Sequence, residues 1–277
     1  MFPFADTIDR NVSTALAEDI GSGDLTAQLI PAGKTARARI VSREAAVLCG
    51  TAWFEACFRQ LDDAIRIEWL AGDGDRVMPH QLLCTIAGNA RAMLTAERCA
   101  LNFLQTLSGT ATLTRLYVDA IADTKAVVMD TRKTIPGLRL AQKYAVTVGG
   151  GINQRVGLFD GILIKENHIA AAGGIPAALE AAQALHAGVP VQIEVESLPE
   201  LQTALQAGAK LILLDNFDLK SLHQAVEVCA GRAVLEASGG ITLATVRAVA
   251  ETGVDRISCG SLTKDVRSVD LSMRLEP

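Results

Sequence analysis

Arg132 and Lys133 stand side by side just after an apolar run, Ala126 to Met129, and an acid, in Asp130-Thr131-Arg132-Lys133-Thr134-Ile135-Pro136-Gly137. The cations continue downstream. Between Arg132 and His168 there are six Lys or Arg (Arg132, Lys133, Arg139, Lys143, Arg155, Lys165) against two acids, Asp160 and Glu166. The chain as a whole carries a formal net charge of −5. A cationic concentration inside an acidic protein suits a small, highly charged anion. Nucleic acid calls for a basic surface overall. Lys165, after Gly161-Ile162-Leu163-Ile164, reads as an anion binder or a Schiff-base nucleophile, with a salt bridge to Glu194 or Glu196 as the plainer alternative.

Acids answer these cations. In Val191-Gln192-Ile193-Glu194-Val195-Glu196 the polar residues share one face of an extended segment and the β-branched residues the other. If the apolar face meets helices, Gln192, Glu194 and Glu196 point inward. Inward carboxylates are costly unless a cation, a metal or ligand hydroxyls meet them. Asp215 follows Leu211-Ile212-Leu213-Leu214 and either faces a ligand or caps the next helix, a job that Asp218 could also do. Three glycine-rich stretches, Gly149-Gly150-Gly151, Ser238-Gly239-Gly240 and Cys259-Gly260-Ser261, let backbone N–H groups approach a phosphate.

Six short aliphatic runs position these groups: 126–130, 161–165, 191–196, 210–215, 233–237 and 255–259. Each ends in polar residues, including Asp130, Lys165, Glu194, Asp215, Glu236 and Ser258. The spacing from Glu194 to Asp215 and from Asp215 to Glu236 is 21 residues, and 22 more lead to Ser258. That is about the length of one βα unit. The stretch 108–265 therefore reads as a parallel β/α barrel, incomplete because eight runs are not visible. A doubly wound open sheet is the competing layout. Upstream, residues 7–18 and 53–61 read as helices and 36–50 and 65–88 as strands. Residues 95–122 read as helical with a break near Ser108-Gly109.

The chain has 277 residues, 49% of them hydrophobic and only 4% aromatic. That suits an aliphatic core of helices on a buried parallel sheet. The six cysteines have no CxxC pair and the four histidines are dispersed. The expectation is reduced thiols in the cytoplasm, with neither a zinc site nor disulfides. The opening Met1-Phe2-Pro3-Phe4-Ala5-Asp6 lacks a basic start and a long apolar stretch, so neither a signal peptide nor a membrane span is expected.

Taken in order, the motifs resemble the quinolinate phosphoribosyltransferase family, the carboxylating nicotinate-nucleotide pyrophosphorylases. They are Glu18-Asp19-Ile20-Gly21-Ser22-Gly23-Asp24-Leu25-Thr26, Thr95-Ala96-Glu97-Arg98, Leu101-Asn102-Phe103-Leu104-Gln105, Leu107-Ser108-Gly109, Asp130 to Gly137, Gln142-Lys143-Tyr144, Gly149-Gly150-Gly151, Leu163-Ile164-Lys165-Glu166-Asn167-His168, Leu213-Leu214-Asp215-Asn216-Phe217 and Ser238-Gly239-Gly240. The resemblance covers nearly the whole chain. It implies an α/β fold with an N-terminal α/β sandwich domain (1–107) and an incomplete parallel β/α barrel (108–265). The tail, 266–277, returns to the first domain.

The implied reaction transfers phosphoribosyl from phosphoribosyl pyrophosphate to quinolinate with decarboxylation. The products are nicotinate mononucleotide, CO2 and pyrophosphate, made for NAD biosynthesis. The resemblance gives Arg98, Thr131, Arg132, Lys133, Arg155 and Lys165 the carboxylates and phosphates. Glu194 and Asp215 face the ribose hydroxyls and the pyrophosphate, and Ser238, Gly239, Gly240, Cys259, Gly260 and Ser261 the 5′-phosphate. Lys133, Lys165, Glu194 and Asp215 are the catalytic members. Mg2+ is the expected cofactor, held mainly through pyrophosphate and water rather than protein ligands. A homodimer is implied, with Arg98 acting across its interface, and no nucleic-acid or membrane partner. One departure stands out: Asn153-Gln154-Arg155 carries glutamine where the family usually has histidine. The alternatives are a differently specific relative of molybdate-operon type and a Schiff-base phosphosugar lyase using Lys165.

Overall fold

The computed structural model describes residues 4–276. Residues 1–3 of the opening and Pro277 of the tail lie outside the described residues. Two compact units form. The first gathers the chain up to Arg115, then Ile135–Gly150 and the tail from Asp265. The second holds Leu116–Thr134 and Gly151–Lys264.

The first unit contains α1 (Phe4–Ile20), β1 (Thr35–Ser42), β2 (Ala46–Val47), α2 (Thr51–Arg59), β3 (Arg66–Trp69), β4 (Arg76–Val77), β5 (Leu82–Asn89) and most of α3 (Ala90–Ala120). Its main sheet runs in the order tail strand, β1, β5, β3, all antiparallel. The tail strand, Leu271–Leu275, pairs with β1 from Ala38↔Leu275 to Ser42↔Leu271. In β1, Ala38, Ile40 and Ser42 are buried while Thr35, Arg37 and Arg39 are exposed, the alternation of a sheet with one covered face. The core holds Ile40, Trp53, Phe54, Phe58, Leu83, Ile86, Leu104 and Leu107.

Two features differ from the sequence reading. The helix α3 runs unbroken through Ser108 and Gly109. The Ser108 hydroxyl is engaged by Cys49, accepting from its N–H at 2.9 Å and donating to its carbonyl at 3.2 Å. A Cβ at Gly109 would lie 2.2 Å from the Arg267 carbonyl oxygen, so the glycine admits the tail backbone and does not break the helix. Residues 108–115 and 135–150, read as part of a continuous barrel, count with the first unit. There Ala141 and Ala145 enter its core. A Cβ at Gly149 would lie 2.6 Å from the Ala111 carbonyl oxygen, so close helix packing accounts for that glycine.

The second unit alternates strand and helix: β6 (Val127–Met129), then, past α4 (Arg139–Val148) of the first unit, β7 (Ile162–Ile164), α5 (Glu166–Ala172), α6 (Ile175–Ala184), β8 (Val191–Val195), α7 (Leu198–Gln206), β9 (Leu211–Asp215), α8 (Leu219–Cys229), β10 (Val234–Ser238), α9 (Val246–Glu251), β11 (Arg256–Ser258) and α10 (Ser261–Lys264). The tail strand is then β12. Six parallel strands stand in the order β6-β11-β10-β9-β8-β7. All six aliphatic runs are these strands. Ile193, Val195, Ile212, Leu214, Ala237 and Ile257 are buried, as a helix-covered sheet requires. The strands β6 and β7 are the two edges. Beside β6, Ile152 makes a single parallel bridge to Met129, with Ile152 N–H donating to Val128 O at 2.9 Å.

Candidate active site

Parallel strands put their C-terminal ends on one side. Thr131, Arg132 and Lys133 follow β6, Lys165 follows β7, Glu194 is the penultimate residue of β8, and Asp215 ends β9. Ser238 ends β10 and leads to Gly239 and Gly240. Cys259, Gly260 and Ser261 follow β11. These residues therefore gather at one rim of the second unit. Arg98 lies exposed on α3, in the first unit.

The central pair is Lys165 with Glu194. Lys165 Nζ donates to both carboxylate oxygens, at 2.8 and 3.0 Å. The lysine occupies the extended position ahead of α5. There the His168 ring accepts its backbone N–H at 3.0 Å, so this histidine orders the lysine's backbone. Arg155 carries the second part of the cationic region. Its Nη1 donates to Gly161 O at 3.0 Å, and its buried Nε has no hydrogen-bond partner. Burial lowers the affinity of this guanidinium for its proton, and the like charge of Arg132 adds to that, with Asp160 opposing. Two neighbouring guanidiniums, one of them half-buried, form a site that an anion relieves.

Asp130 organises the segment that bears Arg155. Fully buried, it accepts from Gln154 N–H at 2.9 Å and from Asn153 Nδ2 at 2.7 Å. The other rim loops are built by close approach. Gly260 sits against Lys133, whose Cδ would lie 3.0 Å from a Cβ there. The Thr263 hydroxyl donates to Lys133 O at 2.7 Å. Gly239, at φ +104°, faces Asn216 Oδ1 so closely that a Cβ would lie 2.2 Å away. The thiol of Cys259 is buried and pushed up to about 12, so it contributes backbone and not a nucleophile.

The structure resolves what the alternation left open. Asp218 caps α8, accepting from Ser221 N–H at 2.7 Å. Asp215 instead receives the Asn216 amide at 2.7 Å. Glu196 is exposed, beyond the end of β8. Equal sequence spacing does not mean equal height. Glu194 is in register with Leu213, and Leu213 with Glu236, whereas Asp215 pairs with Ser238. Asp215 therefore stands two residues farther along than the partner of Glu194, which puts the two acids' Cα atoms roughly 8 Å apart rather than about 5 Å. Glu236 is not at a strand end. It lies inside the sheet at 1% exposure, where Gln192 Nε2 donates to it at 2.9 Å. Gln192 Oε1 in turn accepts from Gln154 Nε2 at 3.1 Å. A strand sequence cannot reveal such a connection, because the three residues come from separate elements.

Comparison with known proteins places this arrangement in context. Residues 24–108 match the model of the quinolinate phosphoribosyl transferase N-terminal domain, and 110–274 that of the C-terminal domain. The nicotinate-nucleotide pyrophosphorylase [carboxylating] of Mycobacterium leprae is 43% identical over 280 residues, covering 98% of this chain and 96% of the relative. A probable nicotinate-nucleotide pyrophosphorylase [carboxylating] of Bacillus subtilis is 42% identical over 257 residues, covering 92% and 89%. Among solved structures, the nicotinate-nucleotide pyrophosphorylase of Francisella tularensis superposes with a TM-score of 0.94 at 45% identity, covering 98% of this chain and 96% of that one. With both domain models matched along nearly its whole length, this chain belongs to the quinolinate phosphoribosyltransferase family.

Proposed function

We propose that the protein transfers the phosphoribosyl group of phosphoribosyl pyrophosphate to the ring nitrogen of quinolinate, and that loss of the 2-carboxylate then gives nicotinate mononucleotide, CO2 and pyrophosphate for NAD biosynthesis. The observation that carries this reading is half-buried Arg155 within electrostatic reach of Arg132, together with the Lys165–Glu194 pair. A rigid dicarboxylate meets two guanidiniums and an ammonium, with an acid left to face a developing cation.

In this reading Arg132, Arg155 and Lys165 bind the two quinolinate carboxylates. Thr131 and Lys133 hold phosphate oxygens, and Ser238 to Gly240 with Cys259 to Ser261 cradle the 5′-phosphate through backbone N–H groups. The pyridine nitrogen already owns its lone pair, so no general base is needed. Glu194 and Asp215 stabilise the ribosyl carbon as it becomes cationic, and this is the catalytic contribution of their charge. Once attached, the positive ring nitrogen stabilises the carbanion left at C2 as CO2 departs, and that carbon then takes a proton from solvent to give nicotinate mononucleotide. Lys133 and Lys165 supply positive charge at the reacting ends. Because Lys165 Nζ donates to both oxygens of Glu194, it is disposed as a cationic binder and not as a Schiff-base nucleophile.

Among the described residues no group of three or more His, Cys, Asp and Glu could hold a metal ion. Glu194 is committed to Lys165, and Asp215 is the rim carboxylate beside it. This donor set fits a Mg2+ that keeps its waters and binds through substrate pyrophosphate, with Asp215 as its protein neighbour. When bound, the ion would offset charge on the leaving pyrophosphate. The proposal includes a homodimer in which Arg98, exposed on α3, reaches the partner's substrate. It also includes a cytoplasmic location, supported by six unpaired, buried cysteines. No described helix is long and apolar enough to cross a membrane.

The direct test is pyrophosphate release in the presence of phosphoribosyl pyrophosphate, Mg2+ and quinolinate, with nicotinate as the control. Release dependent on quinolinate is expected. Equal or greater release with nicotinate would overturn the assignment.

A further inference from the structure

The segment carrying Arg155 is held to the sheet by little regular pairing. Ile152 makes one bridge to Met129, and the next ladder strand, β7, begins only at Ile162. Between them, the polar contacts of Asn153 and Gln154 include three that tie the segment to the strands. Two are to Asp130, through the Asn153 amide and the Gln154 backbone. The third runs inward. Gln154 Nε2 donates to Gln192 Oε1 on β8, and Gln192 Nε2 donates to Glu236 Oε2 on β10, with β9 lying between those two strands.

The direction of this chain is set by its chemistry. Each glutamine accepts on its carbonyl and donates through its amide, so the relay needs an acceptor at the far end. Glu236 provides it and takes a neutral amide as its hydrogen-bond partner. Gln192 is 8% exposed and Glu236 1%, so water cannot readily replace a lost link, and a broken chain leaves a buried polar group unsatisfied. Burial pushes the Glu236 carboxyl up and Asp130 adds to this, while Gln192, Ser258 and Arg256 pull it down. Glu236 Oε1 and the Ser258 hydroxyl are buried and close enough to interact, but fall short of well-formed hydrogen-bond geometry. An amide at position 236 could keep its carbonyl toward Gln192 and turn its NH2 toward Ser258.

We propose that Gln192 and Glu236 are positioning residues for Arg155, acting through a buried Gln154→Gln192→Glu236 hydrogen-bond chain that ties the 153–155 segment to the sheet interior. Gln154 is then a strut that aims its neighbour. The consequence for turnover rests on the reading that Arg155 binds quinolinate. The placement of Arg155 does not.

Two measurements separate these levels. The first is the NMR signal of the Arg155 Nε–H in arginine-15N-labelled protein, assigned by its loss in Arg155→Lys. This group is buried, and its signal should shift or exchange faster in Gln192→Leu and in Gln154→Leu, which cuts the same link from the half-exposed end should Gln192→Leu fail to fold. The second is steady-state kinetics. Both variants should raise the quinolinate KM about tenfold or more while kcat and the phosphoribosyl pyrophosphate KM stay within about threefold, the signature of weakened uniform binding. A residue that merely supported the fold would lower Tm without this split. Glu236→Gln should retain both the signal and the KM. The proposal is overturned if the leucine variants leave signal and KM unchanged, or if Glu236→Gln is as damaging as they are. If the parent protein does not turn over quinolinate but the Arg155 signal responds as described, the functional reading falls and the positioning role stands.

Discussion

Replacing Glu194 by Gln separates catalysis from stability more sharply than any other substitution at the rim. The Lys165 ammonium lies 2.8 Å from Glu194 Oε2. At that distance the gross attraction is roughly 6 kcal/mol for an effective dielectric of about 20. Little of this is net stability. The lysine side chain is 43% exposed and reaches water when its partner is neutralised, while the glutamate is 10% exposed and was desolvated to make the pair. A net loss of about 1 kcal/mol is therefore expected, or a Tm lower by about 2–4 °C. The catalytic loss should be larger. A carboxylate facing a ribosyl carbon that is cationic only in the transition state contributes to kcat more than to ground-state binding. Removing one such stabiliser costs about 100- to 1,000-fold in kcat, or about 2.7–4 kcal/mol of barrier. Initial rates of pyrophosphate release and calorimetric Tm should be read on the same preparation. A Glu194→Gln enzyme with kcat within about threefold of the parent and a lowered Tm would refute the catalytic role and leave only the ion pair.

Arg155→Ala should weaken quinolinate binding toward the upper end of about 2–5 kcal/mol, since this guanidinium is the more buried, and Lys165→Ala toward the lower end. Titration calorimetry giving parental affinity for either variant would remove that residue from the site. Mixing inactive Arg98→Ala with inactive Lys165→Ala subunits should regenerate activity, because one composite site per mixed dimer is intact. Mixed dimers seen by native mass spectrometry that stay inactive would show that Arg98 does not act in trans. The buried Glu236 carboxyl holds its proton more tightly folded than unfolded, burial being the main cause. Its contribution is full below the unfolded value of about 4.3 and is lost as pH rises through the folded value. Glu236→Gln should accordingly gain stability relative to the parent across that rise, measured by urea unfolding, and parallel curves would contradict the buried titration.

The six aliphatic runs were legible because a parallel strand covered by helices must be apolar along its length, and Ile193, Ile212 and Ile257 are all fully buried. The rim cations and Asp215 were legible because polar residues at the ends of such runs have few structural reasons to be there. Order along the chain thus determined which residues share an end of the sheet. It could not determine their heights. Sequence spacing made Glu194, Asp215 and Glu236 equivalent, yet ladder register sets both Glu194 and Glu236 level with Leu213 and leaves Asp215 two residues farther along. Register depends on how neighbouring strands slide to pack, a property of pairs of strands and not of either alone. Gly109 reads locally as a helix break and Gly149 as part of a phosphate loop, and only the neighbour that presses on each, Arg267 or Ala111, reveals a close contact. The assignment of 135–150 to the first unit and the Gln154–Gln192–Glu236 chain were likewise decided by tertiary structure, since both join residues that are distant in sequence and meet only when the strands and helices have packed.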